Sequence, residues 1–292
     1  MANFFGKLFG KRTKDLKDIK IIFSDIDGTL YNRQGVLREE TKKFTSALQK
    51  ANVELILATG REHQVAEEAL LALGMEAPII SLDGALVKDS KTGKVLYTHA
   101  IPDQKVRQIF SEIPNYNVAY TAITPEGNFY NEQADLPSHL QHPSVPSLKI
   151  QKAPLDKIVL RLYITGNKPH TTALYDALKA KNIVSSQDIS HYESRRESGK
   201  WYVEIHPHKA TKGIAVQHIL EARGIKQSEV AGIGDYRNDV DLLKACGYRV
   251  AMADAVAEMR DIADFITTKT CDEGGIEEFF TMVLKAKRNG VS

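Results

Sequence analysis

The stretch KIIFSDIDGTLY, residues 20–31, sets an apolar run directly against two carboxylates and a glycine. KIIFS has the continuous hydrophobicity and β-branching of a strand buried on both faces, as strands of a parallel sheet are. Asp25 and Asp27 therefore fall where that strand ends. Acids at strand ends also start turns and cap helices, so the pair alone has two readings. Like charges this close repel and raise one pKa unless a cation intervenes.

On either side of the chain's middle third, strand and helix patterns alternate. REETKKFTSALQK (38–50) reads as a helix with Phe44, Ala47 and Leu48 on its buried face, VELILAT (53–59) as a strand, and 62–73 as a helix burying Val65, Ala69, Leu70 and Leu73. PIISL (78–82) is a third strand. Alternation resumes with a helix over 211–223, strand VAGIG (230–234), helix RNDVDLLKAC, strands YRVAM and ADFIT, and a closing helix from 275. This predicts an α/β fold with a doubly wound, Rossmann-like parallel-sheet core. From 88 to 205 the pattern changes: VLYTHAI, VAYTAI, NFYNE, KIVLRLYIT and WYVEIHP read as strands around helices at DQKVRQIFSEI and 170–181. Short turns between them suit an antiparallel α+β unit, with the polar stretch 134–147 as its longest loop. The expected division is a core of 1–87 and 207–292, whose residues 1–19 form a basic extension, and an inserted α+β cap at 88–206.

A length of 292 residues accommodates two domains, and 42% hydrophobic with 26% charged residues marks a globular chain. A net charge of +2 argues against general nucleic-acid binding. No apolar run approaches the roughly 20 residues of a spanning helix, and no signal peptide is visible, so a cytoplasmic location is expected. Cys246 and Cys271 read as packing thiols. Residues 1–20 carry six Lys or Arg against two Asp, a local +4 that leaves −2 for the rest of the chain. FFGKLFGKR places Phe4, Phe5, Leu8 and Phe9 among the lysines. Residues 1–14 thus read as a peripheral contact for an anionic membrane surface, as a tail docked on its own domain, or as a free end. Oligomeric state is not legible.

Ligands of open α/β sheets collect beyond the carboxyl ends of the strands, and several ends here share a chemistry. The first carries Asp25 and Asp27, the second Thr59-Gly60-Arg61, and the strand at 230–234 runs into Asp235, Asn238 and Asp239; Lys212 opens the helix before it. Hard oxygen donors with room for water and phosphate suit Mg²⁺ better than Zn²⁺. A carboxylate beside such an ion can attack phosphorus and form an aspartyl phosphate. A second carboxylic acid then protonates the leaving oxygen and later takes a proton from water. Asp25 is the expected nucleophile and Asp27 the expected acid/base. His206-Pro207-His208, His139, His142 and the run Glu193–Ser198 read as loop or surface positions.

FSDIDGTLY, LATGR, KATKG and GIGDYRNDVDLL resemble, in order, the four motifs of the haloacid dehalogenase-like phosphohydrolases. The insertion between the second and third motifs is similar to the Cof-type group, whose substrate-covering cap sits there. The likeness runs from about residue 20 to the C-terminus, through AMADAVAEMRDIADFIT and DEGGI. It implies a Mg²⁺-dependent phosphomonoester hydrolase acting on a small phosphorylated metabolite such as a sugar phosphate. By position, it implies that Asp25, the backbone carbonyl of Asp27 and Asp235 bind Mg²⁺. Thr59 and the Gly60 N–H would bind the phosphoryl group, with Arg61 matching the family's TGR, and Lys212 would stabilise its charge. Asn238 and Asp239 would orient the phosphate side and the metal's waters or Lys212. Two departures stand out: SLDGALV has Asp83 where the family usually has Asn, and AMADA has Ala253-Asp254 in place of Gly-Asn. Both put a carboxylate near the expected mouth, where it either adjusts a loop or disfavours substrates with a second anionic group. A phosphotransferase or phosphomutase on the same scaffold, and a noncatalytic phosphate-binding protein, are the alternatives.

Overall fold

A computed structural model describes residues 15–131 and 140–290. The reading of residues 1–14 as a membrane contact lies outside them, as does the first part, 134–139, of the loop expected at 134–147. The chain divides into two compact units, Met1–Ile56 with Ile219–Ser292, and Leu57–His218. Residues 57–87 and 207–218, assigned to the core from sequence, fall within the second unit. Among the described residues, no helix is long and apolar enough to cross a membrane.

In the first unit, β1 (Ile21–Ser24) is buried at all four positions, as its composition predicts. α1 (Glu39–Lys50) follows, but its buried face is Thr41, Thr45 and Leu48. Phe44 and Ala47 are only half-buried. Hydroxyls sit inside because they have partners: Thr41 Oγ1 donates to Glu277 at 2.7 Å and Thr45 to the Lys42 carbonyl at 2.9 Å. β2 (Glu54–Ala58) then carries the chain to the second unit.

There, α2 (His63–Ala72) leads to β3 (Pro78–Ser81), which is parallel to β2. β4 (Leu86–Asp89) and β5 (Val95–Thr98) extend this sheet antiparallel. VLYTHAI therefore belongs with β3 and β4 and not with the inserted antiparallel sheet, a correction to its expected place. The cause is a hairpin whose turn is fixed by Asp89 accepting from Thr92 N–H, with Gly93 at φ 67°. α3 (Asp103–Glu112), β6 (Ala119–Thr124), β7 (Gly127–Asn131), β8 (Ser147–Ile150), β9 (Arg161–Gly166), α4 (Lys168–Ala180), β10 (Ile189–Glu193) and β11 (Trp201–Ile205) follow. Their six strands order as β10-β11-β9-β6-β7-β8, all pairs antiparallel except β7 with β8. α3 and α4 bury Ile109, Leu174 and Leu178 with Ile164 and Val203 of the sheet.

α5 (Lys212–Arg223) returns the chain to the first unit. β12 (Val230–Gly234), α6 (Val240–Ala245), β13 (Tyr248–Ala251), α7 (Ala257–Ile262), β14 (Phe265–Ile266) and α8 (Gly275–Asn289) complete it. β1, β12, β13 and β14 are neighbours in that order and all parallel, with Ile21 opposite Val230. Parallel strands point their carboxyl ends one way, so the loops after β1 and β12 emerge side by side. That is what this half of the fold does for the site.

Leu174 is fully buried between α4 and the six-stranded sheet, and Trp201, the single tryptophan, stands on that sheet. Leu174→Ala should lower stability by about 2–5 kcal/mol, read as an earlier denaturant midpoint of Trp201 fluorescence. An unchanged midpoint would contradict this packing.

Candidate active site

β1 ends at Ser24, and Asp25 continues its ladder by donating its N–H to the Ile233 carbonyl at 3.0 Å. Its side chain is 5% exposed. Gly28 turns the chain at φ 78°, where a Cβ would lie 2.5 Å from Asp235 Oδ2; only glycine tolerates both conditions. Thr29 donates its hydroxyl to Asp235 Oδ1 at 3.3 Å. After β12, fully buried Asp239 folds back so that its Oδ2 accepts from the N–H groups of Asp235 and Tyr236, at 3.1 and 3.2 Å. Gly234 leaves the space this needs, since a Cβ there would meet the Asp239 carboxyl group at 2.5 Å.

Asp25, Asp235 and Asp239 thereby bring one carboxylate oxygen each to within 4.8 Å of one another. At that spacing each like-charge pair costs about 3–4 kcal/mol at an effective dielectric near 20. Two of the three groups are buried, so water screens little of it. All donors are hard oxygens, and the set fits a small divalent cation such as Mg²⁺. Asp239, expected to orient the metal's waters or Lys212, brings a carboxylate oxygen to this group. The Asp27 side chain is exposed, and its backbone bridges to Tyr31. Asn238 is exposed on the same loop as Asp239.

Thr59, Gly60, Arg61 and Lys212 lie in the second unit. Thr59 is buried; its N–H donates to the Ile80 carbonyl, its carbonyl accepts from Asp83 N–H, and its Oγ1 accepts from Arg61 N–H at 3.1 Å. The Arg61 carbonyl accepts from Leu82 N–H, and the arginine is half-buried. Leu82, Asp83 and Gly84 all have positive φ, 51°, 55° and 104°. Two non-glycine residues in that region store strain of about 1–3 kcal/mol each. Gly84 is required because a Cβ would lie 2.3 Å from the Thr211 carbonyl oxygen. The β3 loop is thus fitted against the start of α5, where Lys212 is fully buried.

A family model for haloacid dehalogenase-like hydrolases matches residues 22–280. The chain belongs to the haloacid dehalogenase-like hydrolases. It is 24% identical over 287 residues to phosphatase YwpJ of Bacillus subtilis (strain 168), covering 91% of this chain and 100% of that one. It is 23% identical over 291 residues to 5-amino-6-(5-phospho-D-ribitylamino)uracil phosphatase YwtE of the same organism, covering 92% and 99%. A haloacid dehalogenase-like hydrolase structure from Bacteroides thetaiotaomicron superposes with a TM-score of 0.75 at 21% identity, covering 91% and 99%, a likeness of fold.

Both departures from the haloacid dehalogenase-like pattern have arginine partners. Asp83 lies 3.2 Å from Arg161 Nη2, and Asp254 lies 2.6 Å from Arg33 Nη2. The sequence reading also passes over Glu62 and His63, although His63, Ala66 and Leu70 share the helical spacing of a buried face. Glu62 accepts from Asn128 Nδ2 at 3.2 Å. Burial pushes its carboxyl up to about 7, against the lowering pull of Asn128 and Arg161. Both ring nitrogens of His63 are buried without a hydrogen-bond partner. Burial, then Lys88, lowers that imidazole to about 4.

These neighbours oppose each other in pH. Glu62 holds a proton in the folded state that the unfolded chain releases, so its contribution is lost as pH rises from about 4.5 to 7. His63 is kept neutral, so its contribution is lost as pH falls from 6.5 to about 4. Glu62→Gln should leave the His63 slope alone: stability should rise between pH 5 and pH 6.5 by about 2 kcal/mol more than in the unmodified protein. Denaturant unfolding at the two pH values checks this, and equal slopes would contradict it.

Proposed function

We propose that this haloacid dehalogenase-like phosphatase is a Mg²⁺-dependent phosphomonoester hydrolase that works through an aspartyl phosphate on Asp25. Its proposed substrate is a small phosphorylated metabolite, sugar phosphates among the candidates. The observation that carries this reading is the convergence of Asp25, Asp235 and Asp239 at the carboxyl ends of adjacent parallel strands, with Asp25 and Asp239 buried. Asp25, Asp235 and the Asp27 carbonyl would hold Mg²⁺ with Asp239 beside them, and the bound ion supplies charge neutralisation at the phosphoryl oxygens.

The steps then belong to the chain's own groups. A carboxylate oxygen of Asp25 attacks phosphorus, its burial leaving it little hydration to shed. The Asp27 carboxyl group, exposed and two residues along, protonates the departing alkoxide and afterwards takes a proton from the water that cleaves the acyl phosphate. Thr59, the Gly60 N–H and Lys212 hold the phosphoryl oxygens, Lys212 as a buried cation. Arg61 and Asn238 orient the phosphate side. Catalysis is assigned to residues 1–87 and 207–292 and most of the substrate reading to residues 88–206. The relative named for a phosphorylated ribitylamino compound supports a small polyol-like ester as the substrate type.

Asp25→Asn keeps shape and removes the nucleophile. Hydrolysis of p-nitrophenyl phosphate should fall by at least about 10³-fold with an unchanged circular-dichroism spectrum. Chelation should abolish activity and added Mg²⁺ should restore it. Full turnover by the variant, or in excess chelator, would sink the proposal.

A further inference from the structure

Arg161 on β9 is a half-buried cation, its side chain 13% exposed. Its Nη2 donates to Asp83 at 3.2 Å, and its Nη1 faces the Tyr163 hydroxyl at 3.4 Å and Glu204 Oε1 at 3.5 Å. Its Nε is enclosed without a partner. Glu204 also accepts from the Tyr192 hydroxyl at 2.9 Å. Two carboxylates against one guanidinium leave this cluster at −1. The cluster is not remote from the phosphoryl-binding turn. Asp83 donates its N–H to the Thr59 carbonyl, and a Cβ on Gly60 would touch Asp83 Oδ1 at 3.0 Å. Glycine at 60 is therefore what lets the Asp83 carboxylate lie against the turn.

An arginine beside a phosphate turn would ordinarily attract a second anionic group. Here both terminal nitrogens are already engaged, and the surplus charge has the opposite sign. We infer that Asp83, by claiming Arg161 beside Gly60, makes the site select phosphate esters whose leaving group is neutral or cationic and reject those with a second anionic group. The inference rests on the phosphate binding at Thr59 and Gly60 proposed above. Asp83 acts as a specificity determinant: a carboxylate or second phosphate on the leaving group meets net negative charge and finds Arg161 occupied. Polyol and amino-alcohol phosphates meet acceptors for their hydroxyl and ammonium groups instead.

Glycerol 3-phosphate and 3-phosphoglycerate are matched in size and differ by a carboxylate, so they serve as probes. The unmodified enzyme should favour the first by at least roughly tenfold in kcat/KM, and this ratio should shrink as salt rises. Asp83→Asn should lower the ratio several-fold by freeing Arg161. Glu204→Gln should shift it the same way, which covers the case of a poorly folded Asp83 variant. The same pair titrated calorimetrically into Asp25→Asn gives a ratio of dissociation constants that does not depend on turnover, so a failed mechanism and a failed selectivity are told apart. A ratio near one in the unmodified protein, or one that neither variant moves by more than twofold, would overturn the inference.

Discussion

Three carboxylates share a space 4.8 Å across at the ends of β1 and β12, two of them sealed from water. Everything around them answers that crowding. Two turn amides bind one oxygen of Asp239, Thr29 donates to Asp235, and glycines at 28 and 234 remove the Cβ atoms that would occupy the same volume. The arrangement is unfavourable on its own and becomes favourable with a cation.

The second unit shows the complementary constraint, strain in place of charge. Three successive left-handed residues at 82–84 have no local justification in the sequence, since only one is glycine. They hold the β3 loop by hydrogen bonds to Thr59 and Arg61, and Gly84 passes close to the backbone of Thr211. Thr59, Arg61 and the start of α5 are thereby fixed to one loop, a degree of order that the phosphate-binding role proposed for them would need.

Most of this was legible because it is local or periodic. The strand runs, the helices 103–112 and 275–289 and the acids after β1 and β12 follow from composition and spacing within short windows. What escaped depends on partners far along the chain. Thr41 and Thr45 line a buried face that apolar periodicity assigns to Phe44, because Glu277 receives Thr41 from 236 residues away. Arg161 reads as an ordinary strand residue until Asp83 is found beside it, 78 residues back. Asp83 and Asp254 stood out as charges in the wrong place, but nothing in the sequence names their arginines. VLYTHAI, which forms β5, was misplaced for a different reason: it has the same strand signals as those of the inserted sheet, and membership of a sheet is not a local property.

The parallel pairing of Ile21 with Val230 carries a consequence for the nascent chain. β1 is synthesised early and is apolar throughout, yet its partner β12 leaves the ribosome about 200 residues later, an interval of roughly 10–40 s at ordinary elongation rates. The intervening residues 57–218 form a compact unit of their own and are complete before β12 exists. During that wait Ile21, Ile22 and Phe23 lack their β12 partner, a window in which chaperone binding competes with aggregation. Asp25 meets Asp235 and Asp239 only after the whole intervening unit has been made, so the charged centre is assembled late in synthesis.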